Sequence, residues 1–580
     1  MMRADESEAS ATSAVDPITL EVIRHGLVSI NDQIDANMTR TAFSPYIYEY
    51  KDYAVGMTDA DGRLIAQCNG GMPIFVADAV GAGVRDGLEI YGKARLHEGD
   101  VVLCNHAAVQ GQHLNNTVMY TPVFAGAADK PELIGFFAIN CHWIDIGGNF
   151  TASGAGDIFT EGLQLRSVKL WSKGEPIEEV YRIIETNTRF PIELLGDIEA
   201  QLGGCMLGRD LMAKLAEKFG LDTYRRAIDI ILDQSEAAMR ARIAAVPDGS
   251  YQAESFLDND GLHETRIPFK LKVTITGSDM IVDFTDMPEQ VEGRINSGRH
   301  GGGVTIARVA LMYLIARGEA ANEGTFRPLK IVLPDGKIIS ARANAPMQLY
   351  GFPFPTIIDT IIKALEPALP DQVTGAHFGT YSSVRFFGYR PDGALFNCID
   401  SAHGGWGASA ARDGAGPFRT MAHGDTRIIP MELQESIYPY RYDELSLRED
   451  SGGPGTHRGG LGFRKRYHIL APCKLWTNFD RIQCPPWGVR GGMAAKPGQV
   501  LVFKKGQSEP QIVYKAEGIA LDAGDLVSIE AGGGGGYGAP AERPVEEVAL
   551  DVRRGYVSAA SALGDYGVRI LPDGAGRRDQ

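Results

Sequence analysis

Two histidines stand in glycine-bounded segments whose residue types suit a metal ion: Gly111-Gln112-His113-Leu114-Asn115-Asn116 and Cys141-His142-Trp143-Ile144-Asp145-Ile146-Gly147-Gly148. Imidazole binds zinc, iron and manganese at neutral pH, and loops leaving one sheet together can bring side chains 29 positions apart into a single coordination sphere. A carboxylate would complete it, either Asp145 in the second segment or Asp52 in the strand-like stretch Tyr48-Glu49-Tyr50-Lys51-Asp52-Tyr53-Ala54-Val55-Gly56. There is no compact signature such as H-E-x-x-H, so the spacing also allows two hydrogen-bonded histidines in buried loops. His403 and His423, in glycine-flanked loops, are secondary metal candidates, whereas His25 falls inside a helical pattern and reads as structural.

The elements that must position these residues are strands. Val101-Val102-Leu103 precedes the first histidine segment and Ile134-Gly135-Phe136-Phe137-Ala138-Ile139 the second, which puts each histidine just beyond a strand end. Ahead of them, Ile18 to Ile30 has apolar residues at helical spacing, and Asp59-Ala60-Asp61-Gly62 predicts a hairpin turn. From Pro191 to Ala245 leucines and isoleucines recur at helical spacing, ending near Pro247-Asp248-Gly249. Strands return at 269–275 and 280–284, with helices expected at 304–317 and 356–365. Beyond about Gly424, glycine clusters separate short apolar alternations, which predicts a β-rich domain with many tight turns. The fold class expected is α+β: a disordered tail over 1–15, a mixed α/β domain with the metal site over 16–190, a helical segment over 191–249, a central α/β domain over 250–423 and a β-rich domain over 424–580.

Composition narrows the partners. A chain of 580 residues with 44% apolar content is long enough for two to four domains on a prior of about 150 residues each. A net charge of −16 argues against nucleic acid or an anionic membrane surface. No run of about eighteen apolar residues predicts a membrane span. The seven cysteines form no C-x-x-C pair, and the acidic, polar N-terminal residues resemble neither a secretory signal nor a transit peptide; both point to the cytoplasm. Gly532-Gly533-Gly534-Gly535-Gly536 is followed by no Lys-Ser or Lys-Thr and opens no long helix, so a close-packed turn is expected there rather than a phosphate loop. Gly81-Ala82-Gly83-Val84-Arg85-Asp86-Gly87 misses the dinucleotide fingerprint by one residue, and there is no Walker motif.

Further stretches carry a resemblance. Arg40-Thr41-Ala42-Phe43-Ser44-Pro45, Asp59 to Gln67, Ile158-Phe159-Thr160-Glu161-Gly162-Leu163, Asn322-Glu323-Gly324 with Arg327-Pro328, His423-Gly424-Asp425, Glu449 to Gly462, Pro485-Pro486-Trp487-Gly488, Gly534 to Gly538 and Asp551 to Ser558 together resemble the hydantoinase B/oxoprolinase family from about Asp16 to Leu571.

The resemblance implies a metal-bearing subunit, holding zinc, manganese or iron, that works beside a hydantoinase A-type subunit. That partner binds ATP and phosphorylates a carbonyl oxygen. In one branch the substrate is a cyclic amide (hydantoin, oxoproline or lactam), which water then opens; in the other a ketone is carboxylated with bicarbonate. A third possibility is a scaffold subunit without catalysis. Around the first histidine the family usually reads Gly-Thr-His and then Leu-Pro-Asp, so the expected aspartate is Asn116 here, which moves the anionic ligand to Asp52. Where two adjacent histidines are common, this chain has His142-Trp143, so His142 is assigned, with Asp145 as ligand or as the residue that orients an imidazole. Phe75 replaces a histidine found in many relatives and predicts an apolar wall for the substrate. Ser44 and Glu49 are candidates to touch substrate or relay a proton.

Overall fold

The computed structural model describes residues 15–149 and 156–578, so the disordered tail expected over 1–15 lies almost wholly outside the described residues. The first sheet has seven antiparallel strands, β1 (Tyr53–Asp59), β2 (Leu64–Gln67), β3 (Val101–Cys104), β4 (Asn116–Ala125), β5 (Glu132–His142), β6 (Val168–Ser172) and β7 (Glu175–Pro176), in the order β2-β1-β5-β4-β3-β6-β7. The β1–β2 hairpin turns over residues 60–63, as its Asp and Gly content predicts. Nearly every residue of the central strands β4 and β5 is buried, because helices cover both faces. Helix Pro191–Phe219 lies close against β5 through two glycines one turn apart. A Cβ at Gly204 would sit 2.7 Å from the Ile139 side chain, and one at Gly208 would sit 2.3 Å from the Phe137 ring. Helix Ala79–Tyr91 covers the other face, with Gly83 against Val118.

The helical segment forms as the periodicity predicts, in two helices, Pro191–Phe219 and Leu221–Ile243, broken at Gly220 with φ of +80°. The second sheet runs β11-β10-β9-β8, from β8 (Gly249–Leu257), β9 (Ile267–Thr276), β10 (Asp279–Asp283) and β11 (Leu329–Val332). Its apolar side chains join those of the first sheet and of both long helices in one continuous core that extends to Ala422.

A third sheet crosses residue 423. Strands β12 (Ser383–Tyr389) and β13 (Leu395–Ser401) precede it, β16 (Cys473–Asn478) and β19 (Lys515–Leu521) follow it, and the order is β13-β12-β16-β19. It packs on a fourth sheet, β14-β15-β20-β17-β18, made from β14 (Tyr440–Leu447), β15 (Phe463–Ile469), β17 (Gln499–Phe503), β18 (Gln511–Val513) and β20 (Leu526–Glu530). The chain ends in a small module of helices Val545–Arg553 and Ala559–Tyr566 with its own core.

The glycine clusters correct the sequence reading. Residues 532–536 form no turn: they are extended and run through the middle of a bundle of extended segments. The N–H of Gly534 donates to Gly460 O, that of Gly535 to Ala376 O and that of Gly536 to Met493 O. A Cβ on Gly533, Gly534, Gly535 or Gly536 would come within 1.9–2.1 Å of the carbonyl oxygen of Ser451, Trp406, Trp487 or Pro454 respectively. Successive residues thus face different neighbouring chains at separations that only glycine permits, the steric logic of a collagen axis. Among the described residues no helix is long and apolar enough to cross a membrane.

Candidate functional site

Three strand ends meet at one edge of the first sheet. Asn116 opens β4 and His142 closes β5, and the two are directly opposed in the antiparallel register. Tyr53 of β1 pairs with Cys141, so Asp52 falls beside His142, whose N–H donates to Asp52 O at 3.0 Å. His113 reaches the same place through a turn closed by the Asn116 N–H on His113 O at 3.1 Å. The sequence put His113 just beyond β3. A short helix, Ala107–Gln110, intervenes, and the histidine instead leads into β4.

The four side chains converge. His113 Nε2 is 2.7 Å from Asn116 Oδ1 and 3.1 Å from His142 Nδ1; His142 Nδ1 is 3.2 Å from Asn116 Oδ1 and 3.9 Å from Asp52 Oδ2. Ligand atoms at the corners of a tetrahedron with metal bonds of about 2.0–2.1 Å are separated by about 3.3 Å. Among the described residues no three side chains drawn from His, Cys, Asp and Glu alone are grouped closely enough to hold an ion. The cluster reaches a full donor set only when the Asn116 amide oxygen is counted.

Hydrogen bonds fix which atoms face each other. Gln112 Nε2 donates to Ile74 O at 2.7 Å, so its Oε1 accepts from Asn116 Nδ2 at 3.1 Å. Asn116 Nδ2 also donates to Tyr350 OH at 2.9 Å, which turns Oδ1 toward the histidines. His113 Nδ1–H donates to Gln348 O at 3.0 Å, so Nε2 of the neutral ring carries the lone pair. Burial pushes the His113 pKa down to about 4 and that of His142 well below the usual range, and it pushes Asp52 up to about 7. At neutral pH two lone pairs, on His113 Nε2 and Asn116 Oδ1, therefore oppose each other at 2.7 Å with no proton between them. Such a contact is repulsive, and a shared cation makes it attractive. The donor set fits a divalent ion.

Gln348 is itself anchored. Buried Glu161, within the Ile158 to Leu163 motif, accepts the N–H groups of Met347 at 2.6 Å and Gln348 at 2.9 Å through Oε1. Burial pushes its pKa up to about 8.

The remaining sequence candidates lie elsewhere. Asp145 does not join the histidines. Its Oδ1 accepts from Arg189 Nη1 at 2.7 Å and its Oδ2 from Arg189 N at 2.5 Å, so it ties the loop to the start of helix Pro191–Phe219. Ser44 caps the helical turn Pro45–Tyr48: its Oγ accepts from Tyr46 N, and its own N–H donates to Asp197. Glu49 closes that turn and does not line the cavity. The strand expected from Tyr48 starts only at Tyr53, because Lys51 adopts a left-handed φ of 60° and turns the chain. Trp143 points to the opposite face of the sheet from His142 and donates to Gln201 Oε1 at 3.1 Å. His403 is buried outside the cavity. His423 lines it, its ring 3.7 Å from that of Tyr381.

The cluster lines a cavity of about 180 Å³. Met72, Ile74 and Phe75 line one wall, and Tyr350, Phe352 and Tyr381 line another. Arg294, Arg385, Trp476 and Asn478, which no sequence motif marks, also line it. The alternation Ser383-Val384-Arg385-Phe386 shows that Arg385 leaves the core face of its strand. Only the packing of the third sheet over the first reveals that this face looks into a cavity and not into solvent.

This fold is that of a known family. The family model described as hydantoinase B/oxoprolinase matches residues 16–540, and the chain belongs to that family. Caprolactamase subunit beta of Pseudomonas jessenii is 32% identical over 588 residues, covering 98% of both chains. The crystal structure of ATP-dependent caprolactamase from the same organism aligns with a TM-score of 0.88 at 29% identity, over 97% of this chain and 98% of that one. A nucleotide-free acetone carboxylase structure also has a TM-score of 0.88, over 97% of this chain and 81% of that one, but at 19% identity, a likeness of fold alone.

Proposed function

We propose that this chain is the metal-holding subunit of an ATP-dependent hydrolase of cyclic amides, and that a separate hydantoinase A-type subunit binds ATP and phosphorylates the carbonyl oxygen of the substrate. The observation that carries the metal assignment is the opposition of His113 Nε2 and Asn116 Oδ1 at 2.7 Å, with His142 Nδ1 and Asp52 alongside. His113, His142, Asn116 and Asp52 would hold one zinc, manganese or iron ion. When bound, such an ion lowers the pKa of water toward neutrality and supplies hydroxide. The likeness to a caprolactamase subunit over the whole chain supports the cyclic-amide class.

The chain's own residues supply the rest. Gln348 O keeps His113 in the tautomer with its lone pair toward the cluster. Gln112 and Tyr350 hold the Asn116 oxygen there. Asp52, which burial pushes up to about 7 without an ion, would be held ionised by the cation and supply the one negative charge of the donor set. The aromatic walls exclude bulk water from an activated intermediate that bulk water would otherwise consume.

The test is a complex of this chain with its ATP-binding partner, assayed for ATP consumption and lactam opening. His113→Ala should abolish ring opening and leave phosphoryl transfer, because the two steps belong to different subunits. Labelled bicarbonate appearing in a ketone-derived acid, with no cyclic amide accepted, would replace this reading with a ketone carboxylase. Neither turnover nor any effect of His113→Ala would leave a scaffold subunit.

A further inference from the structure

The cavity has a second chemical face, on the third sheet. Ser383 is paired with Ser401 on one side and Asn478 on the other, and Arg385 with Ile399 and Trp476. Directly opposed residues project to the same side of a sheet, so these six form two rows on one surface, and all six line the cavity. The alternate residues Val384, Phe386, Cys398 and Leu475 form the core beneath.

This surface is cationic and rich in buried donors. Arg385 is half-buried, and Arg294 lines the same cavity with its Nη1 on Gln348 Oε1 at 2.6 Å. Burial, with repulsion from Arg189 and Arg294, pushes the Arg385 pKa down against the support of Tyr46 and Asp145. Asn478 is only 6% exposed, yet its Oδ1 and Nδ2 have no protein partner, and neither do Trp476 Nε1 and the Tyr381 hydroxyl. Buried polar groups without partners cost free energy, and they are retained where a ligand completes them.

We propose that Arg385, with Arg294, Asn478 and Trp476, binds the tetrahedral oxyanion of a phosphoryl group, leaving the His113–His142 cluster beside it for the rest of the ligand. Two guanidiniums match a dianion. The donors come from both sides of the cavity, whereas one arginine fork would satisfy a planar carboxylate. The proposal rests on the hydrolase reading only for the source of the ligand, a substrate phosphorylated on its carbonyl oxygen by another subunit. It adds that the phosphoryl group stays attached until it is seated here.

Calorimetric titration of the full chain tests this, with inorganic phosphate and methyl phosphate as probes and acetate at equal ionic strength as the control. Saturable binding of both phosphates, at least tenfold weaker in Arg385→Gln and in Asn478→Asp, intermediate in Arg385→Lys and unchanged in His113→Ala, is expected. Asn478→Asp keeps every cation and sets a carboxylate against the anion, so it decides the matter if the arginine variants fail to fold. No saturable phosphate binding by the wild-type chain, binding lost in His113→Ala but not in Arg385→Gln, or acetate bound more tightly than phosphate would overturn the site. Ring opening by a complex whose chain binds no phosphate would remove this inference and leave the hydrolase reading. Phosphate binding by a chain whose complex accepts no cyclic amide would do the reverse.

Discussion

At the scale of single residues, the departures at Gln112 and Asn116 belong together. Each differs from the pattern common in the family, and they are hydrogen-bonded to one another, Asn116 Nδ2 to Gln112 Oε1 at 3.1 Å. An aspartate at 116 alone would set its carboxylate against that oxygen and force Gln112 to turn, at the expense of its bond to Ile74 O. Asn116→Asp should therefore gain little metal affinity by itself, while the double variant Gln112→Thr, Asn116→Asp should gain about tenfold at pH 8 from the added ligand charge. Titration with zinc or manganese measures both. Asp52 sets the pH dependence. Its folded-state pKa is raised to about 7, so without an ion its contribution to stability is complete below about 4 and is lost as pH rises through 7. A bound cation favours the ionised form and reverses this, so metal affinity should rise with pH through about 7, and the melting temperature of the chelated protein should fall over the same interval. Metal affinity that is flat from pH 6 to 8 would contradict the role given to Asp52.

At the scale of elements, the legible features were those with a local period. The two long helices, the β1–β2 hairpin and the strands before His142 follow from apolar spacing and turn residues, and His113, His142 and Asp52 could be singled out because each adjoins such an element. Asp145 shares a segment with His142 but turns toward Arg189, and no local pattern records which way a loop carboxylate faces. Ser44 and Glu49 resemble site residues only by nearness in sequence to Asp52; the left-handed Lys51 separates them from it. The glycine clusters were misread because a turn and a close-packed extended segment both exclude a Cβ, and only the neighbouring chains distinguish them. Gly534→Ala tests that packing: its Cβ would lie 2.1 Å from Trp406 O, so the substitution should destabilise the chain by about 1–3 kcal/mol or more, read as a lowered denaturation midpoint. A midpoint equal to that of the wild type would show that the bundle has room the geometry denies.

At the scale of the whole molecule, the cavity exists because two distant parts of the chain close over one another. The first sheet, from the N-terminal third, supplies the histidines; the third sheet, whose strands lie on both sides of residue 423, supplies Arg385, Trp476 and Asn478. The division of the sequence at 423 followed the change in glycine content, and hydrogen bonding between β12 and β16 runs across it. We infer that the junction holds a catalytic ion in a set of two imidazoles, an amide and one carboxylate. The most direct measurement is equilibrium dialysis of the full chain against zinc or manganese, with elemental analysis, for the wild type and for His113→Ala, His142→Ala and Asp145→Asn. One ion per chain in the wild type and in Asp145→Asn, lost in both histidine variants while their far-ultraviolet circular dichroism is unchanged, is the result predicted. Stoichiometric metal in the histidine variants, or none in the wild type at pH 8, would contradict it.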